Sequence, residues 1–232
     1  MLETLRSEVL EANLELVRRG LVLYTFGNAS GVSREHGLVV IKPSGVPYEK
    51  MTPDDMVITD LEGQTIEGDL RPSSDLATHV LLYRAFPSIG GVVHTHSRHA
   101  TAWAQARRDI PCFGTTHADY FHGPVPVTQA LSPEEINSEY EANTGVAIVR
   151  LMEGCDPLGC PGALVAGHGP FCWGKNASDA AHNAVIVEEL AAMAWQTLTI
   201  NPQAVPISEA LRDKHYYRKH GPQATYGQRS SC

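Results

Sequence analysis

The chain has 232 residues, 43% of them hydrophobic, and a formal charge of −8. That is ample apolar material for one large domain, or two small ones, and the acidic balance excludes a nucleic-acid surface, which needs a basic stripe. No apolar run approaches the roughly 18 residues of a membrane span, and the five cysteines include no C-x-x-C pair. A reducing, cytoplasmic setting is expected, with no membrane or nucleic-acid partner and with most cysteines acting as small hydrophobes.

In chain order, roughly residues 2 to 19 form an amphipathic charged helix, unlike a secretory signal, with Leu2, Leu5, Val9, Leu10, Leu16 and Val17 near helical spacing and Gly20 as its stop. LVLYTFGNASGVS then meets GLVVIKPSG across the polar turn SREHG, a hairpin signature, and DMVITDLEGQTIEG reads as a second hairpin turning near Glu62 and Gly63. A short helix in SSDLATHVLLYRAF precedes the strand GGVVHTH, and another helix starts near Arg98. Short strands are expected again around FGTTHADYF and PVPVT. Ser132, Pro133 and Glu135 make a capping-box start, so that LSPEEINSEYEANTGVAIVRLM is expected to be helical for at least its first half. ALVAGHGPFCWG reads as two strands around a Gly-His-Gly-Pro turn, followed by an alanine-rich helix from about Ala177 to Thr197 and a basic amphipathic helix in ISEALRDKHYYRKHG. Neither a repeat nor a low-complexity linker cuts the chain, so one layered α/β/α domain on a largely antiparallel sheet is the economical reading.

The chemistry concentrates at strand ends. In GVVHTHSRH, side-chain alternation puts His94 and His96 on one face about 7 Å apart, with Thr95 turned away. Such a pair can converge on one metal ion, yet an isolated His-x-His is more often a solvated strand end, so partners are needed. His168, framed by glycines between two strands, is a candidate third nitrogen ligand. Asp75, at the start of the helix before the histidine strand, is a candidate carboxylate ligand or, equally, an N-cap acting with Ser73 and Ser74. His79 competes, one helical turn from Asp75, while His99, His117, His122 and His182 remain structural or supporting candidates. Two or three histidines plus a carboxylate, with one position open, describe a catalytic rather than a structural zinc-type site.

Three donor-rich turns, FGN at 26–28, PSG at 43–45 and Ser73-Ser74, could cradle a phosphate beside Lys42 if the fold brings them together. Each alone is an ordinary turn.

Taken together, TFGNAS, IKPSGV, PSSDLATH, VHTHSRHATAWA, TTHADYF, HGPFCWGKNA, DKHYYRKHG and TYGQ resemble, in order and over nearly the whole chain, the class II aldolase/epimerase family. The resemblance implies a single domain over residues 1–232, a three-layer α/β/α sandwich on a mainly antiparallel sheet. It further implies a homotetramer with active sites between subunits, the tail from about residue 221 reaching a neighbour. It assigns a divalent metal, typically Zn2+, to Asp75, His94, His96 and His168, and a substrate phosphate to Gly27, Asn28, Lys42, Ser44, Gly45, Ser73 and Ser74. Asp119 and Tyr226 match the family's acid/base pair, Tyr226 supplied from another subunit. The activity implied is interconversion of L-ribulose 5-phosphate and D-xylulose 5-phosphate by retro-aldol cleavage of the bond between carbons 3 and 4. Pathway membership (arabinose, ascorbate or another pentose route) stays open. The rival readings within the family are an aldolase of the L-fuculose 1-phosphate type, which carries glutamate where this chain has Asp75, and a methylthioribulose-phosphate dehydratase. A non-catalytic adducin-like module, the reading from a different class, predicts lost metal ligands, and all four positions are filled here.

Overall fold

The computed structural model describes residues 2–221 and 224–225; Tyr226 and Cys232 lie outside the described residues. Helix α1 (Glu3–Arg18) buries Val9, Ala12 and Leu16, the helical spacing that forms one apolar face. Strands β1 (Asn28–Ser33) and β2 (Leu38–Ile41) make the first hairpin, β3 (Val57–Asp60) and β4 (Thr65–Glu67) the second. With β5 (Gly91–His94), β6 (Gly162–Leu164) and β7 (Pro170–Gly174) they complete a seven-stranded sheet in the order β4-β3-β2-β1-β5-β7-β6. Every neighbouring pair is antiparallel.

Helices α2 (Leu76–Ala85), α3 (Arg98–Ala106), α6 (Tyr140–Leu151), α7 (Ala177–Ile200) and α8 (Glu209–Lys219) surround the sheet, with two short helices, α4 (Thr115–Ala118) and α5 (Pro133–Asn137), in the connections. Side-chain alternation sorts the strands into two cores. Val39, Val92, Ala163, Phe171 and Trp173 pack with Leu82 and Tyr83 of α2 and Ile148 of α6. Val40, Val93, Leu164 and Cys172 point the opposite way, to Val9 and Leu16 of α1 and Ala184 and Val187 of α7. The result is the expected α/β/α sandwich. Val92 and Val93 are both buried, on opposite faces, each contributing about 1.5–3 kcal/mol. That parity places His94 on the α2/α6 face, where it pairs across the ladder with Phe171.

Three segments depart from the sequence expectation. TTHADYF is helical, not extended: Gly114 starts a single turn in which Ala118 N–H donates to Gly114 O at 3.2 Å and Asp119 N–H to Thr115 O at 2.9 Å. PVPVT makes only isolated bridges, Ile110 with Val125 and Val127 with Leu164, because its prolines have no N–H for a ladder. The helix expected over at least the first half of LSPEEINSEYEANTGVAIVRLM begins with the Ser132 and Glu135 capping box but breaks at Ser138, whose φ of −101° and ψ of −115° are not helical. Chain direction resets there, and α6 starts anew at Tyr140.

The loop 152–161 folds over β7, with Trp173 Nε1–H donating to Pro157 O at 2.7 Å. Cys112 and Cys172 are buried, Cys160 is half-buried and Cys155 exposed, none of them disulfide-bonded. Burial pushes the Cys160 thiol up to about 12, so it is protonated and unreactive at neutral pH. Among the described residues no helix is long and apolar enough to cross a membrane.

Candidate active site

Strand β5 ends at His94 and the chain continues through Thr95 to His96, while the turn between β6 and β7 carries His168 back to the same point. One candidate ligand atom from each of His94, His96 and His168 lies within 4.8 Å of the others. Nε2 of His168 is 3.1 Å from Nε2 of His96, close to the edge of about 3.3 Å expected for a tetrahedron with metal–nitrogen bonds of about 2.0–2.1 Å. His94 is buried and stacked on Phe171 at 4.2 Å between ring centroids. Its Nδ1 lies 3.0 Å from the carbonyl oxygen of Pro170. A carbonyl only accepts, so the ring proton sits on Nδ1 and the Nε2 lone pair is left for the cluster.

Burial, reinforced by the neighbouring imidazoles, holds the pKa of His94 well below its ordinary value, and burial with His96 lowers that of His168. Both rings are therefore neutral at pH 7, the form that binds a metal. Lone pairs converging at this spacing fit a divalent cation. Gly169 makes the turn possible: a Cβ there would sit 2.7 Å from Thr95 O and 3.5 Å from Cε1 of His94.

Asp75 lines the same cleft, yet stands outside the three-histidine group. It occupies the N-cap position of α2 without capping it through its side chain. Its Oδ2 instead accepts from Asn28 Nδ2 at 2.6 Å, which aims the carboxylate across the cleft rather than back at the helix. His79 is not in the group. It is wholly buried, with Nδ1 2.7 Å from Ser30 Oγ, and burial lowers its pKa to about 3. His99 pairs with Glu188 at 2.7 Å, His122 with Asp213 at 2.9 Å, His182 packs near Tyr120 and His117 is buried.

The three donor-rich turns do meet. Gly27, Asn28, Lys42, Ser44, Gly45, Ser73 and Ser74 line one cleft with Asp75 and the three histidines, about 390 Å³ in volume. Backbone bonds hold the turns together: Ser73 N–H to Lys42 O at 3.0 Å and Ser44 N–H to Arg71 O at 2.8 Å. Gly27 has φ +86°, and a Cβ there would lie 2.7 Å from His94 O, so only glycine lets this turn close on the end of β5. The N-termini of α2 and α6 border the cleft, adding the positive ends of two helix dipoles. Lys42 is buried, its Nζ donating to Pro43 O at 3.1 Å and Val46 O at 3.3 Å and lying 4.8 Å from the Tyr48 ring.

Thr25, Tyr140 and Glu141 also line the cleft and were not among the expected site residues; for the last two a signal existed. The available signal was Asn137-Ser138 interrupting the helical pattern, which marks a new helix start at Tyr140. Asp119 is not brought to this cleft within the protomer. It is held by α8 instead: His215 Nδ1 at 3.1 Å, Arg218 Nη2 at 2.9 Å and Lys219 Nζ at 3.2 Å. Burial pushes its carboxyl up, but hydrogen bonds from Arg218, His215 and Lys219 outweigh that and hold it below the usual value. Tyr226 lies outside the described residues.

An antiparallel α/β/α sandwich with three imidazoles converging at the end of a central strand, beside a rim of hydroxyl and amide donors, is the architecture of a class II aldolase, and residues 7–195 match the model of the Class II Aldolase and Adducin N-terminal domain family, to which this chain belongs. Within it, the chain is 58% identical over 228 residues to L-ribulose-5-phosphate 4-epimerase UlaF of Salmonella paratyphi C (strain RKS4594), covering 98% of this chain and 100% of that one. The protein of the same name from Salmonella choleraesuis (strain SC-B67) matches at the same identity and coverage. A solved structure of L-fuculose 1-phosphate aldolase superposes with a TM-score of 0.78 at 24% identity, covering 91% of this chain and 94% of that one. The L-fuculose 1-phosphate aldolase from Glaciozyma antarctica PI12 gives 0.75 at 18% identity, with 97% and 84% covered. At those identities the two structures speak to the fold.

Proposed function

We propose that this chain is an L-ribulose-5-phosphate 4-epimerase, interconverting L-ribulose 5-phosphate and D-xylulose 5-phosphate. The observation that carries the reading is 58% identity, over the full length, to enzymes of that name. The cleft supports it chemically, since one space is lined both by the three converging histidines and by the donor-rich turns.

Hydrogen on carbon 4 is not adjacent to the carbonyl at carbon 2, so inversion by simple deprotonation is disfavoured. Breaking the bond between carbons 3 and 4, turning the aldehyde fragment and re-forming the bond avoids this difficulty. His94, His96 and His168, with Asp75 as a fourth ligand, would hold one divalent ion, Zn2+ by the preference of imidazole and carboxylate donors. When bound, that ion supplies Lewis-acid stabilisation of negative charge on the substrate oxygens of carbons 2 and 3.

The chain's own groups do the rest. Lys42, Ser44, Gly45, Ser73 and Ser74, with Gly27 and Asn28, keep the phosphate of the aldehyde fragment in place while its carbonyl turns. Neutral hydroxyl and amide donors suit that task, because they hold the anion without locking the fragment's rotation. Asp119 and Tyr226 serve as the acid/base pair on the carbon 4 oxygen, one removing a proton and the other returning one on the opposite face. Asp119 faces α8 in its own protomer, so this role requires the cleft of a neighbour, in keeping with a homotetramer whose active sites lie between subunits.

The test is an enzyme-linked assay for D-xylulose 5-phosphate formed from L-ribulose 5-phosphate, with and without chelator. Turnover that chelation abolishes and Zn2+ restores is expected. Turnover only of an aldol substrate such as L-fuculose 1-phosphate would replace the reading with that of a sugar-phosphate aldolase.

A further inference from the structure

His94 and His168 face the same problem: a neutral imidazole must present one nitrogen lone pair to the cluster, so its other nitrogen must carry the proton and find an acceptor. For His94 that acceptor is the backbone carbonyl of Pro170 at 3.0 Å. For His168 it is a side chain, the Tyr140 hydroxyl, 3.2 Å from Nδ1. Nε2 of His168 meets Nε2 of His96 at 3.1 Å and is therefore the nitrogen directed at the cluster. The proton belongs on Nδ1, the Tyr140 oxygen accepts it, and the phenol's own proton remains to be donated elsewhere.

Tyr140 is the first residue of α6, half-buried, and lines the cleft together with Lys42, Ser44 and Asp75. Its backbone is anchored by Thr144 Oγ1–H donating to Tyr140 O at 2.9 Å.

We infer that Tyr140 is a positioning residue for His168, fixing its tautomer and ring orientation, and that its hydroxyl proton is donated to an oxygen of the bound sugar phosphate. The inference rests on the metal and substrate assignment proposed above. It distinguishes the two buried imidazoles: the partner of His94 is main chain and beyond the reach of substitution, whereas the partner of His168 is a single removable oxygen.

Tyr140→Phe deletes that oxygen and keeps the ring. Zinc affinity, measured on stripped protein by competition with a chromophoric chelator, is expected to weaken by about 10-fold or more, the usual effect of losing a ligand's hydrogen-bond partner. At saturating Zn2+ the variant is expected to show a raised KM for L-ribulose 5-phosphate, while metal-free thermal stability stays at the wild-type value. Unchanged zinc affinity would overturn the positioning role, and an unchanged KM at saturating Zn2+ would overturn the substrate contact. If wild-type protein shows no epimerase turnover, the proposed function fails, while the zinc competition still decides the role of Tyr140 toward His168.

Discussion

Replacing Lys42 by methionine tests whether the anion rim holds its charge at the expense of the fold. Lys42 is 2% exposed, and desolvation lowers its pKa from 10.5 to about 8. That gap corresponds to about 3 kcal/mol, at ~1.4 kcal/mol per decade, by which the buried ammonium destabilises the folded chain at pH 7. Below pH 8 folded and unfolded chains both carry the proton and this penalty is fully present. Between about 8 and 10.5 only the unfolded chain binds it, so rising pH stabilises the wild type across that window. Lys42→Met keeps most of the stem on Tyr48, removes the charge, and strands the Pro43 and Val46 carbonyls at about 1 kcal/mol each. The variant is therefore expected to exceed the wild type by about 1 kcal/mol at pH 7 and to fall behind it by about 2 kcal/mol near pH 10.5. Parallel urea titrations along the pH series measure the difference. Inorganic phosphate should raise the melting temperature of the wild type, by linkage, and leave the variant unmoved. A stability gap that stays constant with pH, or phosphate stabilisation that survives the substitution, would refute the reasoning.

Three further outcomes follow from the same geometry. His96→Asn is expected to lose zinc and epimerase turnover together; full turnover in metal-stripped variant protein would remove His96 from the ligand set. Tyr226→Phe should keep its zinc and lose on the order of 10² to 10⁴ in turnover, read from steady-state kinetics, as removal of a general acid/base does. Gly169→Ala places a methyl 2.7 Å from Thr95 O and forces the His168 turn away from β5; zinc titration should show weakened binding, with urea stability lowered by about 1–3 kcal/mol as for other overpacked sites.

Most of the architecture was legible because one rule governs it. The run Val92-Val93-His94 alternates across a two-sided sheet, so two valines enter opposite cores and the histidine inherits a face. The same alternation let both early hairpins be read from their turns. Where competing physics applied, the pattern misled. The aromatic and β-branched content of TTHADYF suggested extension, but a glycine start and local hydrogen bonds closed a helical turn instead. Ser132 and Glu135 signalled a true helix start, while the stop after five residues was marked only by Asn137 and Ser138, two poor helix formers inside an otherwise helical pattern.

For the site, local spelling identified donors and tertiary structure decided their use. Asp75 shows why. At the head of α2 a carboxylate satisfies free amides well, and a sequence cannot tell such a cap from a ligand. In the fold the side chain does not cap: Asn28, 47 residues earlier in the chain, donates to Oδ2 at 2.6 Å and holds the carboxylate at the cleft. That contact exists because β1 pairs with β5, setting Asn28 opposite His94. The register that delivers the first histidine thus also orients the aspartate, and the helix is left without its side-chain cap. An N-terminus in that state keeps its amide dipole available to a bound anion, which is the use Ser73 and Ser74 beside it invite. Asp75 is thus shared between two neighbourhoods of one cleft, its carboxylate held by Asn28 while the head of its helix borders the space that Ser73 and Ser74 line.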